Sequence, residues 1–320
     1  MKRALIFGIS GQDGAYLARL LLSKGYEVHG TSRDAENHSF RRLHTLGIAD
    51  RVATHSVSLR DFRELLQVVS AVRPDEIYNL GGQSSVSLSF SQPIETMESI
   101  AQATLLLLEV IRYLKLPTRL YNAGSSECFG NRPAGSAADE QTPFNPRSPY
   151  AAAKAAAHWT TLNYRDGYGL FACSGLLFNH ESPLRSDRFV TKKIVSAAAE
   201  IAAGRRTKLS LGNTSVARDW GYAPEYVEAM WLMLQQDTAD DFVIATGESH
   251  TIADFAQAAF AEFGLDAREH LEVDETLFRP SDIAYSRGNP EKAKRLLGWS
   301  ARTRFRELIH LLADAQRAAA

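Results

Sequence analysis

Apolar residues follow two rhythms in the first half of the chain. Short runs at residues 4–7, 27–31, 52–57, 76–80, 119–123 and 171–177 have the length and composition of β-strands. The first, Ala4-Leu5-Ile6-Phe7, is apolar throughout, as a strand covered on both faces must be. Between the runs, helical patterns are predicted at 16–24, 61–72, 93–113 and about 150–167. Strand and helix alternate, which predicts a doubly wound parallel α/β sheet. The second half is more mixed. Helices are expected at 189–203, 224–234, 251–263, 290–297 and 305–315, and strands at 208–211 and 242–245. The expected division is a main nucleotide-binding unit over 1–178 and a smaller mixed α/β lobe over 179–320, with the chain crossing back to the sheet near 208–246. The site is expected in the cleft between them.

Glycines punctuate the first strand–helix junction. Gly8, Gly11 and Gly14 are spaced G-x-x-G-x-x-G, with Gln12 and Asp13 inside the loop. Glycine lets the backbone turn tightly and approach a pyrophosphate seated on the helix N-terminus. A plain strand–turn–helix is the alternative, and the strand before and helix after favour a dinucleotide site. The second strand ends in Thr31-Ser32 where NAD sites usually carry an acid, and Arg33 follows, suited to a 2′-phosphate. NADP is therefore expected, with NAD still open because Asp34 would repel that phosphate. Arg41 and Arg42 read as a solvated helix face. Leu80 and the small residues Gly81, Gly82, Ser84 and Ser85 follow the fourth strand, where a cofactor approaches closely.

Candidate chemistry gathers after the fifth strand. Ser125-Ser126-Glu127 emerges from its end, and Tyr150 and Lys154 lie four residues apart, on one face of a helix. An ammonium beside a phenol favours the phenolate, which can take a proton from an alcohol. An ordinary exposed i,i+4 pair is the bland alternative, and the surrounding motifs weigh against it. Arg185, Lys193, Arg218 and Arg279 are placed on loops; each alone reads as a surface charge, and together they suit a pyrophosphate clamp.

Composition narrows the field. The 320 residues are 45% hydrophobic and 23% charged with a net charge of −1 and no basic block, which argues against nucleic acid or a membrane as main partner. Two cysteines are too few for a disulfide framework or metal knuckle; Cys173 is expected in the core and Cys128, beside Glu127, is not expected to act as a nucleophile. The first apolar run is too short for a signal peptide or spanning helix, so a cytoplasmic protein is expected.

Longer words carry a resemblance: GISGQDGAY at 8–16, IYNL at 77–80, PRSPY at 146–150, LFNHESP at 177–183, RDWG at 218–221 and YVEAMWLMLQ at 226–235. Over nearly its whole length the chain resembles an extended short-chain dehydrogenase/reductase with a Rossmann-like sheet, and within that group the GDP-mannose 4,6-dehydratases. The resemblance implies a Ser125–Tyr150–Lys154 triad with Glu127 as the eliminating base. It implies NADP, with Lys154 on the nicotinamide ribose, and GDP-mannose as substrate. Asn179, Lys193, Arg218 and Arg279 would contact the nucleotide diphosphate, Asp282 the guanosine ribose, and Ser84 and Ser85 the hexose. It further implies a homodimer or homotetramer joined through the helices at 93–113 and 150–167. Three positions depart from the family pattern: Ser125 replaces a threonine, Arg33-Asp34 replaces paired arginines, and Ser56-Val57-Ser58 replaces an aspartate near the adenine. A GDP-manno-heptose dehydratase and a GDP-4-keto-6-deoxymannose reductase are the neighbouring alternatives. A non-catalytic dinucleotide sensor is disfavoured because Ser125, Glu127, Tyr150 and Lys154 are all retained.

Overall fold

A computed structural model describes residues 1–318. Strands form at β1 (Arg3–Phe7), β2 (Glu27–Ser32), β3 (Val52–Ser56), β4 (Glu76–Asn79), β5 (Arg119–Ala123), β6 (Ala172–Leu177), β7 (Asn179–Glu181), β8 (Leu209–Leu211), β9 (Ala217–Arg218), β10 (Trp220–Tyr222), β11 (Phe242–Ile244), β12 (His250–Thr251) and β13 (Leu271–Val273). Seven of them make one parallel sheet in the order β11-β6-β5-β4-β1-β2-β3. The apolar runs account for this: β1 from Ala4 onward and all of β6 and β11 are buried, as a sheet layered by helices on both faces requires.

Helices are α1 (Gln12–Ser23), α2 (Arg41–Thr45), α3 (Phe62–Val72), α4 (Val86–Ser91), α5 (Pro93–Met97), α6 (Ala103–Leu114), α7 (Pro149–Tyr168), α8 (Val190–Ala202), α9 (Ala223–Met233), α10 (Ile252–Ala261), α11 (Ala267–His270), α12 (Glu291–Leu297) and α13 (Phe305–Ala318). One face of the sheet packs on α3 and α6 through Leu65, Val69, Leu107 and Ile111. The other packs on α1 and α9, and the same core takes in Leu297 and Trp299 from the end of the chain. A separate core, built around Trp220, Phe255, Phe260 and Leu308, holds α8, α10 and α13 together.

Three differences from the sequence pattern have physical reasons. First, α1 begins at Gln12 rather than at residue 16: its opening turn is Gln12-Asp13-Gly14, where no apolar rhythm marks a helix. Second, the stretch at 93–113 is broken by a π turn, Glu98–Gln102, between α5 and α6. The turn lies against the loop after β4. A Cβ on Gly82, whose φ is +105°, would sit 2.6 Å from the Ser99 carbonyl oxygen, and Gln83 N donates to Ser99 Oγ at 3.2 Å. Third, β8 does not rejoin the large sheet; it pairs with β13, and of the stretch 208–246 only β11 does so. The strands β7, β9, β10 and β12, two or three residues each, pair as β7–β10 and β9–β12. They are too short to leave a period in the sequence.

Candidate active site

The parallel strands deliver their loops to one edge: Gly8–Gly11 after β1, Leu80–Ser85 after β4, Gly124–Glu127 after β5 and Phe178 after β6. Gly8 takes φ +86°, and a Cβ there would lie 2.8 Å from Leu80 O, so the first loop packs directly on the end of β4. Gly14 is forced as well: a Cβ would sit 2.3 Å from Gly8 O. Gly11 is the N-cap of α1, and no side chain caps that helix. Its first-turn amides are left to an anion, so the loop fits a dinucleotide pyrophosphate.

Gln12 and Asp13 tie this loop to the segment after β6. Gln12 Nε2 donates to His180 O at 3.1 Å, and Gln12 Oε1 accepts from Ser182 Oγ at 2.7 Å. His180 Nδ1 meets Phe178 O at 2.8 Å and its Nε2 meets Asp13 Oδ2 at 2.9 Å. Both ring nitrogens thus face acceptors, which favours the imidazolium. The Asp13 charge raises the His180 pKa against the cost of burial, and His180 in turn holds the Asp13 carboxyl down at about 2.

Helix α7 is built to start beside the site. Ser148 Oγ accepts from Ala151 N at 3.1 Å, Pro149 occupies the first turn, and Gly169 in the left-handed region ends the helix. Tyr150 and Lys154 share one face, with Lys154 Nζ 5.9 Å from the Tyr150 ring centre. Lys154 Nζ donates to Ala123 O at 2.7 Å, and burial lowers its pKa to about 8. Burial pushes the Tyr150 phenol well above its ordinary range, and the Ser125 hydroxyl and, less strongly, Arg185 pull it back. Lys154, whose pKa of about 8 leaves it mostly charged at neutral pH, directs that ammonium at a backbone carbonyl.

Ser125 caps the 3-10 turn Ser126–Phe129, its Oγ accepting from Glu127 N at 3.3 Å. Burial raises the Glu127 carboxyl above the usual range; Arg218 and Arg279 oppose the rise and Asp282 adds to it. Arg218, Arg279 and Asp282 are thus the charged groups within electrostatic reach of Glu127. Arg218 belongs to β9 rather than a loop and is only 5% exposed, so its reading as a solvated charge is corrected. It donates to Ile283 O at 2.6 Å, Ala217 O at 3.0 Å and Asp282 Oδ1 at 2.9 Å, and Arg279 reaches the same Asp282 oxygen at 3.4 Å. Arg185 contacts buried Glu181 at 3.1 Å and lies 3.6 Å from the Phe189 ring centre. Asn179 opens β7, opposite Trp220 in register.

Other candidates lie further out. Lys193 is on α8, not a loop, and exposed. Ser84 is exposed, and Ser85 Oγ caps α4 by accepting from Leu88 N at 3.3 Å. Arg33 is exposed; Asp34 turns onto Asn37, accepting from its N and Nδ2 at 3.1 and 2.9 Å. Arg42 is not solvated: its guanidinium donates to Ser10 O at 2.9 Å and Leu184 O at 2.8 Å, stapling the glycine loop to the segment after β7. Cys173 and Cys128 are both buried, and burial pushes the Cys128 thiol up to about 12, far from a nucleophile. Among the described residues, no group of three or more His, Cys, Asp or Glu is placed to hold a metal ion, and no helix is long and apolar enough to cross a membrane.

A family model described as GDP-mannose 4,6 dehydratase matches residues 5–312. The chain belongs to the GDP-mannose 4,6-dehydratase family. Membership makes it a hydro-lyase on an extended short-chain dehydrogenase/reductase fold. It is 46% identical to GDP-mannose 4,6 dehydratase 1 of Arabidopsis thaliana, with 98% of this chain and 89% of that one aligned. It is 41% identical to the human GDP-mannose 4,6 dehydratase over 98% of this chain and 90% of the relative. Among solved structures, a Thermus thermophilus UDP-glucose 4-epimerase in complex with NAD superposes with a TM-score of 0.88 at 26% identity, covering 99% of this chain and all of that one.

Proposed function

We propose that the cleft converts GDP-mannose to GDP-4-keto-6-deoxymannose, with NADP held on the glycine loop. One observation carries this reading: Glu127, a carboxyl raised by burial, follows Ser125 in one capped turn and lies within electrostatic reach of Tyr150 as well as of Arg218, Arg279 and Asp282. A simple alcohol dehydrogenase needs no acid–base group in that position; an elimination does. Gly8, Gly11, Gln12, Asp13, Gly14 and Leu80 cradle the dinucleotide, Lys154 holds its ribose, and Arg33 takes the 2′-phosphate. Asn179, Lys193, Arg218 and Arg279 clamp the GDP diphosphate, Asp282 meets the ribose, and Ser84 and Ser85 border the hexose.

Bound there, the oxidised nicotinamide would accept the C4 hydride and later return it to C6, and its positive charge would favour the Tyr150 phenolate. Tyr150 Oη accepts the proton of the sugar 4-hydroxyl while Ser125 Oγ hydrogen-bonds the same oxygen. The 4-ketone acidifies C5–H. Glu127 removes that proton and gives one to the departing 6-hydroxyl, which leaves as water. A proton returned to C5 completes the product, so the turnover is redox-neutral.

The deciding experiment incubates purified protein with GDP-mannose and no added reductant. A product lighter by one water, with the cofactor redox state unchanged, is expected by mass spectrometry. Consumption of NADPH on a supplied 4-keto sugar instead would replace this reading with a reductase.

For assembly we propose a homo-oligomer of this chain. Pro93, Ile94, Met97 and Ala101 line a groove on the outer face of α5 and the π turn, and Ile94 is 72% exposed. An apolar face of this kind suits a second copy.

A further inference from the structure

One buried carboxylate near the site has no part in the chemistry above. Asp219 lies between Arg218 and Trp220, with no exposed surface. Its Oδ1 accepts from Thr246 N at 2.9 Å and Thr246 Oγ1 at 2.7 Å. Its Oδ2 accepts from Gly247 N at 3.0 Å and Gly288 N at 3.3 Å. All four donors are neutral, and three are backbone amides. Burying an anion on such partners costs more than burying an apolar residue of the same size. That cost shows in the carboxyl, which burial pushes up to about 6 in spite of the four donors.

The donors come from two distant segments. Thr246 and Gly247 follow β11, the last strand of the large sheet, and Gly288 closes the stretch that carries Asp282 and Ile283. That stretch is stitched to β9 on its other side, where Ala217 N donates to Ala284 O at 2.8 Å and Ser286 N to Ala217 O at 3.1 Å. Arg218, next in the chain, reaches Ile283 O and Asp282 Oδ1. One carboxylate therefore fixes where β9 sits relative to the sheet edge and to the segment bearing Arg218's own partners. Packing leaves little slack there: a Cβ on Gly288 would be 2.3 Å from the Ala245 Cβ.

We propose that Asp219 is a positioning residue for substrate binding, setting the Arg218–Asp282 pair where the nucleotide diphosphate and ribose are gripped. The inference rests on the reading of Arg218 as part of the diphosphate clamp. A purely structural buried carboxylate would affect both ligands of the cleft alike. Asp219 bears on one: its donors lie on the sugar-nucleotide side, and none belongs to the glycine loop.

The test uses the full chain and three variants, with GDP and NADP affinities measured separately by calorimetry and kcat and KM by product mass. Asp219→Asn presents an NH2 to amides that need an acceptor. It is expected to weaken GDP, and raise KM for GDP-mannose, by about tenfold, the equivalent of one charge-assisted hydrogen bond. NADP affinity is expected to stay within about twofold and kcat to fall less than KM rises. Arg218→Ala is the reference. If it weakens GDP and Asp219→Asn does not, the inference falls while the clamp stands. If neither weakens GDP, the clamp reading falls and takes the inference with it. Equal losses of GDP and NADP affinity in Asp219→Asn would show a general structural role and overturn the proposal. Should that variant not fold, Thr246→Val removes one of the four donors, together with the acceptor that Thr246 Oγ1 offers Glu248 N at 3.1 Å. A GDP loss of about threefold with NADP unchanged supports the proposal, and no change in either overturns it.

Discussion

Glu127 has the environment an acid–base group needs: burial lifts its pKa while two guanidinium groups keep the charged form within reach. Glu127→Gln is expected to lower kcat for dehydration by about 10²–10⁴. Oxidation at C4 is spared, so reduced nicotinamide accumulates in a stopped-flow absorbance trace as product mass fails to appear. Loss of both signals would place Glu127 in binding. The Asp13–His180 pair gives a pH test. His180's raised pKa means its stabilisation is complete below the unfolded value of 6.5 and is lost as pH climbs through the raised one. Asp13, lowered to about 2, contributes fully above 3.8 and loses its share as pH falls toward 2. That shift corresponds to about 2 kcal/mol. The melting difference between wild type and His180→Gln should be largest from about pH 4 to 6.5 and shrink above; a difference that grows with pH would refute the ion pair. Spacing made Tyr150 and Lys154 legible in the sequence, because i,i+4 fixes a shared face. Burial was not legible, and burial is the largest influence on the pKa of both. Arg42, Arg218 and Asp219 were opaque for the same reason: an arginine or aspartate in a string of letters looks solvated until its carbonyl or amide partners, distant in sequence, are placed.

Elements with several turns or a fully apolar run were readable. β5 runs Arg119–Ala123 as its pattern says, and α3 starts where Asp61 caps it, accepting from Arg63 N and Glu64 N. What escaped was short or locally contrary: the two- and three-residue strands, the polar first turn of α1, and the π turn, which packs against Gly82 and Gln83 in another segment. The cap of α7 is the element-scale feature with most bearing on activity. Tyr150 is the helix's second residue, so the Ser148 cap sets its position as well as the helix's stability. Ser148→Ala is expected to cost about 1 kcal/mol and to lower Tm by about 2 °C. A measurable fall in kcat should accompany it; unchanged kcat with lowered Tm would separate the cap from the catalytic geometry.

At the scale of the molecule, the sheet's outer strand is guarded. Glu140 Oε1 accepts Val243 N at 2.7 Å, covering a hydrogen-bonding group that edge strand β11 would otherwise offer to another chain. The homo-oligomer proposed above is accordingly expected to form through the helices. Ile94→Asp, placed in the groove on α5, is expected to shift sedimentation toward monomer at micromolar protein without lowering Tm below the monomer's own. An unchanged sedimentation coefficient would move the interface elsewhere.

The late arrival of β11 also has a consequence for synthesis. The sheet stays one strand short until Phe242–Ile244 has been made, and the core behind α1 stays open until Trp299 follows. A nascent chain leaving the ribosome with all its glycine-loop elements complete must therefore hold an unpaired β6 edge until Phe242–Ile244 is made, and leave Tyr226 of α9 uncovered until Trp299 follows.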